Sequence, residues 1–257
     1  MLQEERFLLP HWAELMDRAV QRGIYTRTGF LSLGEQSLLI SLLQQRQEVP
    51  YTASGGMEGC ERQVFQFGDE GLCGYEQPLP IRCLRIEPRG QKFSDPLTHR
   101  DCLGALMALG VERETLGDLF PEETGVYLFC LDTVAPYLTD SLTSVGRTPV
   151  QVFETEPPSA GALLRLRPGL VKLASLRLDS LISGAYNLSR EEGQRLIAGQ
   201  KVFLNGLPAA KASMEPKAGD LISVRGYGRF RLEGDQGLTK KGKHNISISY
   251  YGDGGKK

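Results

Sequence analysis

Ser175-Leu176-Arg177-Leu178-Asp179-Ser180-Leu181-Ile182-Ser183 opens the basic C-terminal stretch of the chain. It continues as Leu188-Ser189-Arg190-Glu191-Glu192-Gly193-Gln194-Arg195-Leu196-Ile197-Ala198-Gly199, then Lys201-Val202-Phe203-Leu204-Asn205-Gly206. It closes on Gly219-Asp220-Leu221-Ile222-Ser223-Val224-Arg225-Gly226-Tyr227-Gly228-Arg229-Phe230-Arg231. Leu178, Leu181 and Ile182 recur at helical spacing. Ser189 and Glu192 form a capping box, in which the hydroxyl satisfies an orphan N–H while the carboxylate reaches back. The helix they start ends at Gly199, with Leu196 and Ile197 on its buried side. Arg190 and Gln194 lie four apart, on one face. Lys201–Asn205 reads as a strand running into a Gly206 turn, and Gly219-Asp220 turns into a strand at 221–224. Two short helices therefore lead into a small β unit edged with cations.

Working outward, charge sets this end of the chain apart. The formal net charge is −1 over 257 residues. Residues 1–158 hold 13 Lys/Arg against 23 Asp/Glu, a net −10, and residues 159–257 hold 17 against 8, a net +9. An acidic body joined to a basic end is the electrostatic footprint of a polyanion binder. Arg225, Arg229 and Arg231 are interspersed with Gly226 and Gly228, which let the backbone come close to a partner while guanidinium groups reach phosphates. Thr239-Lys240-Lys241-Gly242-Lys243 extends the basic end as a tail.

The rest of the chain alternates helix and strand. Trp12, Leu15, Met16 and Ala19 share a helical face that ends at Gly23, and Ser32 with Glu35 forms another capping box before Leu38–Leu43. Residues 50–54 and 63–67 read as strands around the turn Gly55-Gly56-Met57-Glu58-Gly59, which lacks phosphate-loop spacing. A strand at 81–87, a helix at 98–109, strands at 116–120 and 125–131, a helix at 132–144 and a strand at 148–153 follow. That β-α-β-β-α-β order is ferredoxin-like, the order of RNA-recognition-motif domains. The RNA-recognition signature would fall at Thr124–Leu131, where the glycine fits but the basic and aromatic positions do not. Thr155–Gly169, rich in Pro and Gly, has linker composition. The expected architecture is α+β and multidomain: an N-terminal helical and β region at 1–75, a ferredoxin-like middle domain at 76–156, a linker at 157–174 and a basic C-terminal domain at 175–257.

Catalytic patterns are not found. His99-Arg100-Asp101 lacks the downstream Asn of a kinase loop, and no glycine-rich nucleotide loop precedes it. It also departs from the His-Arg-Leu-Asp stretch of pseudouridine synthases. It reads as a helix start with Asp101 at the favourable N-terminus. Five cysteines without Cys-x-x-Cys spacing suggest neither zinc nor a disulfide framework. Apolar runs are too short to span a bilayer, and no secretory signal opens the chain, so a cytoplasmic protein without metal, cofactor or small-molecule substrate is expected.

Arg177-Leu178-Asp179, Ser189-Arg190, Leu196-Ile197, Gly199, Val202-x-x-Asn205-Gly206 and Gly219-Asp220, in that order, resemble the RNA-binding domain of small-subunit ribosomal protein S4. Gly55-Gly56-x-Glu58-Gly59-x-Glu61-Arg62, Leu97-Thr98-His99-Arg100-Asp101, Leu142-Thr143-Ser144-Val145-Gly146 and Arg225-Gly226-Tyr227-Gly228-Arg229-Phe230 are similar to the YlmH family, over nearly the full length. That resemblance implies a bacterial, cytoplasmic binding factor, expected to be non-enzymatic and monomeric. It would bind structured RNA, rRNA and peptidyl-tRNA, on the large ribosomal subunit in rescue or quality control of stalled translation. An RNA-modifying enzyme of pseudouridine-synthase type and a cell-division adaptor are the alternatives. The RNA contacts implied by the resemblance are Arg177, Ser189, Arg190, Gln194, Lys201, Arg225 and Arg229; Asp179, Arg231, Lys240, Lys241 and Lys243 complete the expected RNA-binding set. Asp179 is as well placed to orient a neighbouring arginine as to touch RNA.

Overall fold

A computed structural model describes residues 5–90, 96–158, 166–239 and 242–251. The chain divides into two compact units, Met1–Leu163 and Leu164–Lys257. Among the described residues the strands form three antiparallel sheets.

The first unit begins with helix α1 (Glu5–Arg22), stopped by Gly23 at φ 58°. Strand β1 (Thr26–Leu31) follows, then helix α2 (Leu33–Leu43). The capping box at α2 forms as its sequence requires: Ser32 N–H donates to Glu35 Oε2 at 2.6 Å and Glu35 N–H to Ser32 Oγ at 3.4 Å. Strands β2 (Tyr51–Ser54) and β3 (Gln63–Phe67) complete a sheet ordered β1-β3-β2. Trp12, Met16, Leu39, Phe65 and Phe67 fill the core between this sheet and the helices. Short helix α3 (Glu70–Cys73) then leads to the second sheet.

That sheet contains β4 (Ile81–Pro88), β5 (Leu116–Glu122), β6 (Gly125–Leu131), β7 (Ser144–Val145) and β8 (Thr148–Glu154) in the order β5-β6-β4-β8-β7. Helices α4 (His99–Ala108) and α5 (Ala135–Ser141) pack on one face, where Leu84, Ile86, Leu106, Leu128 and Leu138 are fully buried. Cys83 and Phe129 alternate to the other face and join Phe30, Cys60 and Val64 in a further core. Strands apolar on both faces are buried on both, so residues 1–75 and 76–156 form one compact unit rather than two separate bodies. Arg62 fastens the two sheets. Its guanidinium donates to the carbonyls of Phe30 at 2.6 Å and Leu116 at 3.0 Å. The glycine turn is a packing device: Gly56 has φ 96°, and a Cβ there would lie 2.4 Å from the Phe129 ring.

The second unit starts with β9 (Leu166–Leu173), which runs antiparallel to β14 (His244–Tyr251). Helices α6 (Leu178–Tyr186) and α7 (Arg190–Ala198) follow. Strands β10 (Val202–Leu204), β11 (Leu207–Pro208), β12 (Leu221–Val224) and β13 (Gly228–Leu238) complete the sheet β11-β10-β12-β13-β14-β9. Both helices pack on one face of it through Leu178, Leu181, Ile182 and Ile197 against Phe230, Leu232, Ile246 and Ile248.

Two expectations are corrected here. The second half of the linker at 157–174 is a strand, because Pro168 and Gly169 are tolerated at a sheet edge, where Pro need not donate to a ladder. The basic tail is instead the connection of a hairpin, since β13 pairs with β14 across it. Thr239 N–H donates to the Lys243 carbonyl at 2.7 Å, and Lys243 N–H to Thr239 Oγ1 at 3.0 Å. Lys240 and Lys241 lie outside the described residues.

Candidate nucleic-acid interface

The helix pair of the second unit is organised by one carboxylate. Asp179, in the first turn of α6, is fully buried. Arg177 reaches it from the N-cap with two hydrogen bonds, Nε to Oδ1 at 3.1 Å and Nη2 to Oδ2 at 3.0 Å. From α7, Arg190 Nε donates to Oδ2 at 3.3 Å and Gln194 Nε2 to the same oxygen at 3.0 Å. Ser180 N–H adds a bond to Oδ1 at 2.9 Å. Burial would raise the Asp179 carboxyl, but the bonds from Arg177, Gln194 and Arg190 outweigh it and hold it well below the usual carboxylate range.

The arginines themselves stay accessible. The Arg190 side chain is 60% exposed and that of Arg177 31%. Asp179 thus aligns two cationic groups and an amide from different helices, at the cost of neutralising part of their charge. The close approach this needs is provided by Gly193, where a Cβ would sit 2.7 Å from Ser183 Oγ and 2.9 Å from the Asp179 carbonyl.

Among the residues expected to contact RNA, the structure brings together Arg177, Asp179, Ser189, Arg190 and Gln194. Of the two roles expected for Asp179, the enclosed carboxylate suits orienting the arginines, since it is fully buried and bonded by Arg177, Arg190 and Gln194. Ser189 is the N-cap of α7: its Oγ accepts from Glu192 N–H at 3.2 Å, and its own N–H donates to Glu192 Oε2 at 2.8 Å. Lys201 is exposed just before β10. Arg225, Arg229 and Arg231 do not join the helix pair. Strand alternation puts Arg229 and Arg231 opposite to the core-facing Phe230 and Leu232. Lys243 is exposed at the foot of the β13–β14 hairpin. Sequence reading missed Phe203 and Tyr251, whose rings lie beside these arginines. It also missed β14, although Ile246-Ser247-Ile248-Ser249 carries the period-two alternation of a half-buried strand.

The sheet of residues 81–154 offers a contrast. Arg85 lies 4.2 Å from the Tyr127 ring centroid, yet it is buried and saturated by Glu87 at 3.1 Å, Glu122 at 3.0 Å and Thr124 at 2.6 Å. Two carboxylates around one guanidinium leave this face poor in positive potential. His99-Arg100-Asp101 is the first turn of α4, where Thr98 Oγ1 accepts from Asp101 N–H at 3.2 Å and donates to its carboxylate at 2.6 Å. Among the described residues no group of three or more His, Cys, Asp or Glu side chains could hold a metal ion. No helix among them is long and apolar enough to cross a membrane.

A helix pair with aligned arginines, set on an antiparallel sheet, defines the class: residues 176–222 match the S4 domain. Residues 81–158 match a domain described as "Putative RNA-binding domain in YlmH". In both regions the chain is similar to the YlmH family of S4-domain RNA-binding proteins. It is similar to the ribosome-associated protein quality control protein P2 of Bacillus subtilis (strain 168), at 28% identity over 224 residues, 86% of this chain and 85% of that protein. A solved structure, the cell division protein ylmH from Streptococcus pneumoniae, aligns at 24% identity with a TM-score of 0.48, covering 60% of this chain and 93% of that one.

Proposed function

We propose that the chain is a non-enzymatic factor that binds structured RNA on the large ribosomal subunit, rRNA together with peptidyl-tRNA, during quality control of stalled translation. The observation that carries the reading is the Asp179 hub, which holds Arg177, Arg190 and Gln194 in one fixed cluster. Aligned guanidinium groups suit phosphates, which they contact bidentately. Double-helical RNA hides its base edges in a deep, narrow groove, so recognition would rest on backbone and shape. The ribosome enters through the Bacillus relative, whose name describes ribosome-associated quality control. The factor would act in the cytoplasm as a monomer.

In this reading the first unit comprises an N-terminal α/β region and a ferredoxin-like middle domain, a reading favoured by the strand order β5-β6-β4-β8 with both helices on one face. Its saturated Arg85 argues for an RNA grip in the C-terminal unit, through Arg177, Arg190, Gln194 and Lys201, with Lys240, Lys241 and Lys243 adding charge. Cosedimentation tests this. Arg177→Ala with Arg190→Ala should abolish association with large subunits at physiological salt while the protein stays folded. Retained cosedimentation of the double variant would refute it.

A further inference from the structure

The sheet of the C-terminal unit has a second face, turned away from α6 and α7, and strand register sets what lies on it. Phe203 pairs with Ser223, Ser223 with Arg229, and Tyr251 with Leu166. Phe230 pairs with Tyr250, which puts Tyr251 beside Arg229. One row across five strands therefore reads Phe203, Ser223, Arg229, Tyr251, Leu166. Neither Phe203 nor Tyr251 belongs to the core beneath the helices, but the Tyr251 ring is buried, 9% exposed, so a base at that position would meet the guanidinium groups over it rather than the bare ring. Each ring carries guanidinium groups instead. Arg225 lies 4.8 Å from the Phe203 centroid, and Arg229 and Arg231 lie 5.0 and 5.6 Å from that of Tyr251. The two rings are three strand spacings apart, roughly 14 Å.

The composition of this face selects its partner. Among the described residues neither Arg225 nor Arg231 pairs with a carboxylate, unlike Arg85 beside Tyr127. Lys172 is exposed on the same face, since it alternates with the core residues Val171 and Leu173. Glu233, the acidic residue of β13 nearest to Arg231, sits at the bulge between Leu232 and Gly234. Planar cations stacked on rings, at intervals across a sheet face, are what single-stranded nucleic acid uses: bases stack while the backbone follows positive charge. A duplex cannot offer its bases this way.

We propose that this outer face is a second nucleic-acid site, which takes an unpaired RNA segment by stacking its bases at the Phe203–Arg225 and Tyr251–Arg229–Arg231 positions. It is separate from the helix pair and does not depend on it.

Fluorescence anisotropy with the full-length chain tests this. The probes are an unstructured RNA of about twelve nucleotides, the same strand with abasic sites, and a blunt RNA duplex of about sixteen base pairs. Arg225→Ala with Arg231→Ala should weaken the intact single strand by about tenfold or more and leave the duplex little changed. Arg225→Lys with Arg231→Lys keeps the charge but not the planar groups. It should remain weakened and bind intact and abasic strands alike. If the alanine pair disturbs folding, the lysine pair and the abasic comparison on the unmodified protein still decide. Three results would overturn the proposal: equal wild-type affinity for intact and abasic strands, equal losses for single strand and duplex, or no loss for either. The last would make the face a cover for the sheet or a protein contact. Failure of the helix-pair reading would show elsewhere, as unchanged duplex binding by the Arg177→Ala, Arg190→Ala variant.

Discussion

Asp179 is the residue on which the C-terminal unit turns, and pH reports on it. Its folded carboxyl is held below the unfolded value by Arg177, Gln194 and Arg190 against the opposing effect of burial. A depressed carboxyl contributes stability that is present above the unfolded pKa of about 4 and lost as pH falls through the folded value. Denaturant midpoints should therefore hold steady from neutral pH down to about 5 and decline below about 4. Asp179→Ala should remove this part of the decline. It should also destabilise the unit by about 1–3 kcal/mol, because polar groups lose a shared partner while the exposed arginines can turn to water. The Arg-x-Asp spacing hinted at an orienting carboxylate, but its enclosure by Gln194 from another helix is a tertiary fact, invisible in a local reading.

Cysteine chemistry belongs to the same scale. Burial pushes the thiols of Cys60, Cys83 and Cys130 up to about 12 and that of Cys102 to about 11. The thiolate is the reactive form, so a thiol-specific reagent at pH 8 should label half-buried Cys73 in the native protein and all five cysteines only after unfolding. Rapid native labelling of a second cysteine would contradict this packing.

At the scale of elements, what was legible was local. The capping boxes Ser32–Glu35 and Ser189–Glu192 form as their spacing requires, because each is closed within four residues. Ser189→Ala should cost about 1 kcal/mol, read as a lower melting temperature and a frayed α7. Gly193→Ala should cost more than its better helix propensity returns, about 1–3 kcal/mol, since the added methyl meets Ser183 and the Asp179 backbone. A neutral Gly193→Ala would mean that α6 and α7 pack less closely. Strands were harder to read. Strand β1 hides in Thr26-Arg27-Thr28-Gly29-Phe30-Leu31, whose register shifts between Arg27 and Phe30 and breaks the alternation. Strand β9 contains Pro168-Gly169, a turn signal in isolation that an edge position overrides.

For the whole molecule, the charge division anticipated the two-unit organisation: the acidic residues 1–158 lie within the first unit, and the basic 159–257 nearly coincide with the second. The expected border between residues 75 and 76 is not a border of compact units, because the alternation that buries Leu84 and Leu128 on one face buries Cys83 and Phe129 on the other. Composition marks a domain boundary where packing stops, and here packing continues across that point. The candidate site was legible as residue types, and the structure distributes them over two faces of one sheet.

In the proposed function Arg177 and Arg190, aligned by Asp179, grip RNA phosphates. This grip is tested most directly by the salt dependence of binding to isolated large-subunit RNA, for the unmodified protein beside the Arg177→Ala, Arg190→Ala variant. With about five phosphates neutralised, log affinity should fall against log salt with a slope of roughly −3 to −5. The variant should lose most of its affinity, and its slope should become shallower by about 1–2. An unmodified protein with a nearly flat slope, or a variant that matches it in both affinity and slope, would contradict the claim.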